Sequence, residues 1–105
     1  MSPAGEGPVP YQLIYSERVR NALRELLERA RARGIGRLVL DAVKAIDPRL
    51  RVYPQFGQPL RDLEISGETL WIGTVAPVVA RYVIDEERRL VFVIVPFKVL
   101  PGLGL

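Results

Sequence analysis

The spacing of apolar residues changes period once along this chain, and that change restricts the fold more than any motif. Val19, Ala22, Leu23, Leu26, Leu27 and Ala30 step by three and four, the stripe of an amphipathic helix. The same rhythm returns at Ile35, Leu38, Val39, Ala42, Val43 and Ile46. From residue 60 onward the period falls to two and β-branched residues dominate, as strands require. Two helices followed by successive strands imply an α+β domain with the helix pair laid on a sheet.

Local signals set the expected boundaries. Residues 11–15 read as a first strand that stops at Ser16, a good helix N-cap, and a helix follows over 17–33. Gly34 suits a left-handed helix end, and the second helix runs over 35–46 until Asp47-Pro48 stops it. Pro54, Gly57 and Pro59 mark 49–59 as a connection back to the sheet. Strands are expected over 60–65, 69–75, 78–84 and 90–95, with turns at Ser66-Gly67-Glu68, at Ala76-Pro77 and through the charged stretch from Asp85 to Arg89. The run at 90–95 is apolar on both faces and belongs inside the sheet. The expected order is β-α-α-β-β-β(-β), a helix hairpin on one face of an antiparallel sheet, with Leu23, Leu27, Val39, Val43, Phe92 and Ile94 sharing one core. Residues 1–10 read as a disordered arm, 11–98 as the domain and 99–105 as an irregular apolar tail.

Composition narrows the chemistry. The chain has 105 residues, 49% hydrophobic and 26% charged, which suits one globular domain. Cysteine and histidine are both absent, so disulfides, thiolate chemistry, the usual zinc ligands and the commonest general base drop out. Catalysis, if any, falls to arginine, lysine, tyrosine or carboxylates. The formal charge of +3 and pI of 9.7 rest on arginine, which suits phosphate or carboxylate contacts. No apolar run approaches the roughly 20 residues that span a bilayer, and no signal-peptide pattern opens the chain, so no membrane partner and a cytoplasmic location are expected.

The stretch from Arg81 through Tyr82, Val83, Ile84, Asp85 and the charged turn to Leu90, Val91, Phe92, Val93 and Ile94 resembles the RelE/ParE superfamily of type II toxin-antitoxin toxins. Tyr15-Ser16 before the first helix and Gly57-Gln58-Pro59-Leu60-Arg61-Asp62-Leu63 before the sheet are similar too, so the resemblance covers nearly all of 11–98. It implies a toxin component neutralised by a cognate antitoxin. In the ribosome-dependent RNases of the superfamily, arginine, lysine and tyrosine around the sheet bind mRNA and stabilise the transition state without a metal, and this implies a metal-independent endoribonuclease as one alternative; a degenerate, non-toxic member of the fold is the other.

The candidate residues follow from that likeness. Arg81, Lys98 and Tyr82 are the catalytic candidates, and Arg51, Tyr53 and Arg61 the candidates for binding substrate or partner. The superfamily commonly places an arginine some three residues before the tyrosine, where this chain reads Val78-Val79-Ala80. It also often carries a basic pair after the last strand, where Phe97-Lys98-Val99 keeps only the lysine. With Val79 and Val99 apolar, weak or absent cleavage is expected, and action through protein binding. Beside the antitoxin, the partners implied are the ribosome with its mRNA, or DNA gyrase in the ParE-like mode, or a second copy of the chain. No cofactor is expected; Asp62 and Glu64 share a strand face but have no histidine partner. Trp71 is expected in the core or a partner groove.

Overall fold

The computed structural model describes residues 10–65 and 68–101, with the backbone alone at 61–65. The expected arm, apart from Pro10, lies outside the described residues, as do Ser66 and Gly67 of the first expected turn and residues 102–105 of the expected tail. The elements are β1 Gln12–Tyr15, α1 Glu17–Ala32, α2 Gly36–Val52, a 3-10 turn Pro54–Phe56, β2 Gln58–Ile65, β3 Glu68–Val75, β4 Val78–Asp85 and β5 Leu90–Val99. The five strands lie in the order β1-β5-β4-β3-β2. The α+β class and the order of elements match the expectation. The sheet itself is mixed rather than antiparallel, because β1 enters beside β5 in parallel register, Leu13 opposite Val91 and Tyr15 opposite Val93. The other three pairings are antiparallel. No helix of the described residues is long and apolar enough to cross a membrane.

Both ends of α1 follow the local rules. Ser16 is extended and its Oγ accepts the Val19 N–H at 3.1 Å, satisfying a donor that the helix leaves free. At the other end Gly34 takes φ 76°. There the Gly34 N–H donates to the Arg31 carbonyl at 3.0 Å and the Ile35 N–H to the Ala30 carbonyl at 2.9 Å, the paired bonds of a Schellman ending. A Cβ on Gly34 would meet nothing within 4 Å, so only the backbone conformation opposes a side chain there. Gly34→Ala should therefore lower stability by about 1–2 kcal/mol, read as a shift in the urea midpoint. An unmoved midpoint would reject the left-handed ending.

Proline misleads the sequence reading at two places. The second helix does not stop at Ile46 but runs through Pro48 to Val52. Pro48 removes one helical hydrogen bond, a cost of about 3 kcal/mol in a helix interior. Continuing the helix buries Leu50 completely, worth about 1.5–3 kcal/mol, and lets Arg51 meet Asp47 at 2.7 Å. These gains offset the loss. The connection over 49–59 accordingly shrinks, since Arg49 to Val52 are helical, Pro54–Phe56 is a 3-10 turn and β2 already starts at Gln58.

The last strand likewise continues past 95 to Val99, with Pro96 inside it. Register shifts lie between Val79 and Arg81 and between Arg81 and Val83 on the β4–β5 pair, and such bulges are where a strand tolerates proline. Val99 pairs with Val78, and the Leu100 N–H then donates to the Pro77 carbonyl at 2.8 Å. The irregular tail thus begins, within the described residues, at Leu100 rather than at 99.

The core lies between the helices and one sheet face. Val19, Leu26, Ala30, Val39, Ala42, Ile46 and Leu50 meet Leu13, Val78, Ala80, Tyr82, Ile84, Val91 and Val93. Of the expected six, Val39 is fully buried, while Leu23, Leu27 and Val43 are half-buried against this cluster. Phe92 and Ile94 are on the wrong face: Val91 and Val93 point to the helices, and Ile94 is 39% exposed. An all-apolar strand carries no parity of its own, so pairing with β1 and β4 decides which residues turn inward. Trp71 on β3 packs against the cluster, as expected.

Candidate functional site

The alternation of side chains along β4 separates the catalytic candidates. Tyr82 points to the helices and Arg81 to the other face, with Val79 and Val83. Tyr82 is fully buried, its hydroxyl donates to the Pro54 carbonyl at 2.6 Å, and its ring stacks on Phe56 with centroids 6.4 Å apart. Burial pushes its pKa well above the ordinary tyrosine value. Room for the hydroxyl comes from two glycines. A Cβ on Gly73 would come within 3.0 Å of it, and one on Gly57 would collide with both it and the Ile72 carbonyl. Tyr82 thus ties the 3-10 turn to the middle of the sheet.

The sheet face away from the helices carries Arg81 and Lys98 in one groove of about 420 Å³, walled by Leu60, Leu70, Ile72, Val79, Val99, Leu100 and Pro101. Arg81 lies opposite Ile72 on one side and Val95 on the other, and Lys98 lies opposite Val79. One guanidinium nitrogen of Arg81, Nη2, donates to the Pro96 carbonyl at 2.6 Å, across the bulge that proline occupies. Its Nε is buried and has no partner. Burial lowers the Arg81 pKa, since taking the guanidinium from water penalises the charge. Lys98 is exposed at the rim. Both cations thus border an apolar surface to which none of the lining side chains contributes a carboxylate.

The binding candidates lie apart from this groove. Arg51 is at the end of α2, where its Nε donates to Asp47 Oδ1 at 2.7 Å. The other oxygen of Asp47 accepts the Tyr15 hydroxyl at 3.2 Å. The hydrogen bond to Asp47 raises the Arg51 pKa, and burial followed by Asp47 raises that of Tyr15. Arg51 also offers its carbonyl to the Tyr11 N–H at 2.7 Å, which holds the start of β1. Tyr53 is 60% exposed and lines a separate apolar hollow with Pro48, Arg49, Val52 and Phe56, where Arg49 sits 5.7 Å above the Phe56 ring. Arg61 falls in β2 at the register shift between Leu60 and Glu64, and its side chain, with those of Asp62 and Glu64, is outside the described residues. Among the described residues no group of acidic side chains is arranged to hold a metal ion.

The structure therefore brings Arg81 and Lys98 together and leaves Tyr82, Arg51 and Tyr53 elsewhere. The groove walls Leu60, Leu70 and Ile72 were missed as site residues. Their signal was available in the alternation of β3 and β4, where Ile72 and Val79 sit out of phase with the buried set. Trp71 across from Tyr82 belongs to the inward phase. No protein-family model matches the chain, and a search of curated proteins finds no relative.

Proposed function

We propose that the chain is a RelE/ParE-like toxin component of a type II toxin-antitoxin pair, acting mainly through protein binding and neutralised by a cognate antitoxin. What supports this reading is the sheet face opposite the helices, an apolar groove with two cations and, among the described residues, no helix over it. An apolar groove on a rigid sheet suits a peptide segment of a partner. The order of elements is compatible with the superfamily, and the Arg81 to Ile94 stretch resembles it.

The alternative reading, a ribosome-dependent endoribonuclease, draws on the same pair of cations, because a guanidinium forks onto phosphate and an ammonium adds a point charge. Val79 and Val99 supply no donor beside them, and losing one well-placed donor costs about 10²–10³ in the rate of such a reaction. Purified protein added to translating ribosomes should accordingly give weak or no cuts in the A-site codon by primer extension. In cells, induced expression should slow growth, and co-expression of a small reading frame encoded beside its gene should restore it. Robust cleavage that disappears in Arg81→Ala or Lys98→Ala would restore the enzyme. Unaffected growth, with no binding by the neighbouring product, would remove the toxin reading. A supercoiling assay on gyrase separates the ParE-like target from the ribosome.

A further inference from the structure

Arg81 is an unusual residue for the middle of a sheet. It lies on the central strand between two apolar neighbours, Ile72 and Val95, and among the described residues it forms no ion pair. A charge taken from water normally finds an opposite charge or a full set of hydrogen bonds. Here the Pro96 carbonyl accepts from Nη2 alone, and the buried Nε–H is left without an acceptor. Lys98, across the same groove, repeats the sign instead of compensating it. The remaining seven lining residues are aliphatic or proline, and none is aromatic.

Those observations fix the chemistry of what fills the groove. The charge calls for an anion on the groove side of the Arg81 guanidinium, and the walls call for apolar side chains on either side of it. A nucleic acid is a poor match, because single strands are held by rows of cations with aromatic rings beneath the bases. Neither is present here. A peptide meets both demands, since an aspartate or glutamate between Leu-, Val- or Ile-like residues lays its carboxylate on the guanidinium and its neighbours on the walls.

We infer that the groove is a docking site for an apolar peptide segment that carries one carboxylate, and that Arg81 is the residue that receives it, with Lys98 adding attraction at the rim. This rests on the protein-binding reading above and names the chemistry of its partner. Arg81 is then a specificity residue: partners with an amide at the central position leave its charge uncompensated, and partners with a cation there are repelled by it.

The test is selection of a displayed library of random 12-residue peptides on the intact chain. Enriched peptides should share an Asp or Glu flanked by apolar residues. Changing that residue to Asn or Gln in a synthetic copy should weaken binding about tenfold or more, and Arg81→Gln should weaken binding of the original peptide as much. The two changes together should cost no more than either alone. Val79→Glu, which sets an internal carboxylate on the same strand face two residues away, should abolish binding even if Arg81→Gln fails to fold. The inference is overturned by enrichment without a carboxylate, by affinity indifferent to both variants, or by tighter Arg81-dependent binding of a 20-nucleotide uridine RNA than of any peptide. Self-association that depends on Arg81 also overturns it, since the occupant would then be a second copy. Because the selection reads no toxicity, a chain that slows growth yet selects no acidic peptide loses this inference alone. A chain that selects such peptides and leaves growth untouched loses the toxin reading alone.

Discussion

Tyr82→Ala should lower stability by about 3–5 kcal/mol, and Tyr82→Phe by about 1–2 kcal/mol. The first figure follows from the complete burial of the ring between Phe56 and the helix-side core. The second follows from the Pro54 carbonyl, which loses its 2.6 Å donor and remains out of contact with water. Alkaline pH adds a further difference. Burial raises the folded-state pKa of Tyr82 above its ordinary value of 10, so the unfolded chain gives up this proton first. Stability from this group is complete below pH 10 and is lost as the pH climbs above it. Tyr82→Phe removes that loss, so the gap between wild type and the variant should narrow above pH 10. Tyr15, whose pKa is also raised, steepens the fall equally in both. Urea melts at pH 8 and pH 10.5 read all three effects. An alanine variant as stable as wild type would show that the ring is not lodged where Gly57 and Gly73 leave room for it.

The α+β class and the element order were legible because they depend on period alone. Ser16 and Gly34 were legible because a helix end has few chemical solutions, and each residue fills one of them. The errors share a cause. Pro48 and Pro96 read as stops because proline opposes helix and strand locally, yet burial of Leu50 in one case and a bulge in the other outweigh that opposition. These are tertiary effects with no local trace. The parallel pairing of β1 with β5 joins residues some 78 positions apart, Gln12 to Leu90, and no pattern within either segment declares its neighbour.

The candidate site was legible in part. Arg81 and Lys98 were singled out from a likeness in sequence, and the structure places them in one groove. Tyr82 follows Arg81 directly, and adjacency in a strand puts the two on opposite faces; once β4 is recognised as a strand, that separation needs no further information. The unsatisfied Nε could not have been foreseen. It depends on Pro96 turning its carbonyl toward Arg81 at a bulge, and register shifts leave no mark in composition or spacing.

Leu26 and Leu27 give the sharpest test of how α1 is rotated against the sheet. The period places both on the apolar stripe, and the choice of Leu27 for the core assumed that the stripe is centred one residue further along. In the structure Leu26 is 5% exposed within the main cluster, while Leu27 is half-buried beside Arg31, Gly34 and Leu40 at the helix turn. Consecutive residues on a helix differ by about 100° in direction, so the two cannot lie equally deep in the core. Leu26→Ala should therefore cost about 2–5 kcal/mol, because the cavity lies between α1 and β5, where the surrounding strands cannot close on it. At Leu27 solvent and the flexible Arg31 side chain fill the space, and the loss should fall to about half or less. Urea denaturation of the two variants, with the dependence on denaturant unchanged between them, compares the costs directly. A larger loss at Leu27 would turn the helix and move the core stripe toward Leu23 and Leu27, against the burial of Val19, Leu26 and Ala30.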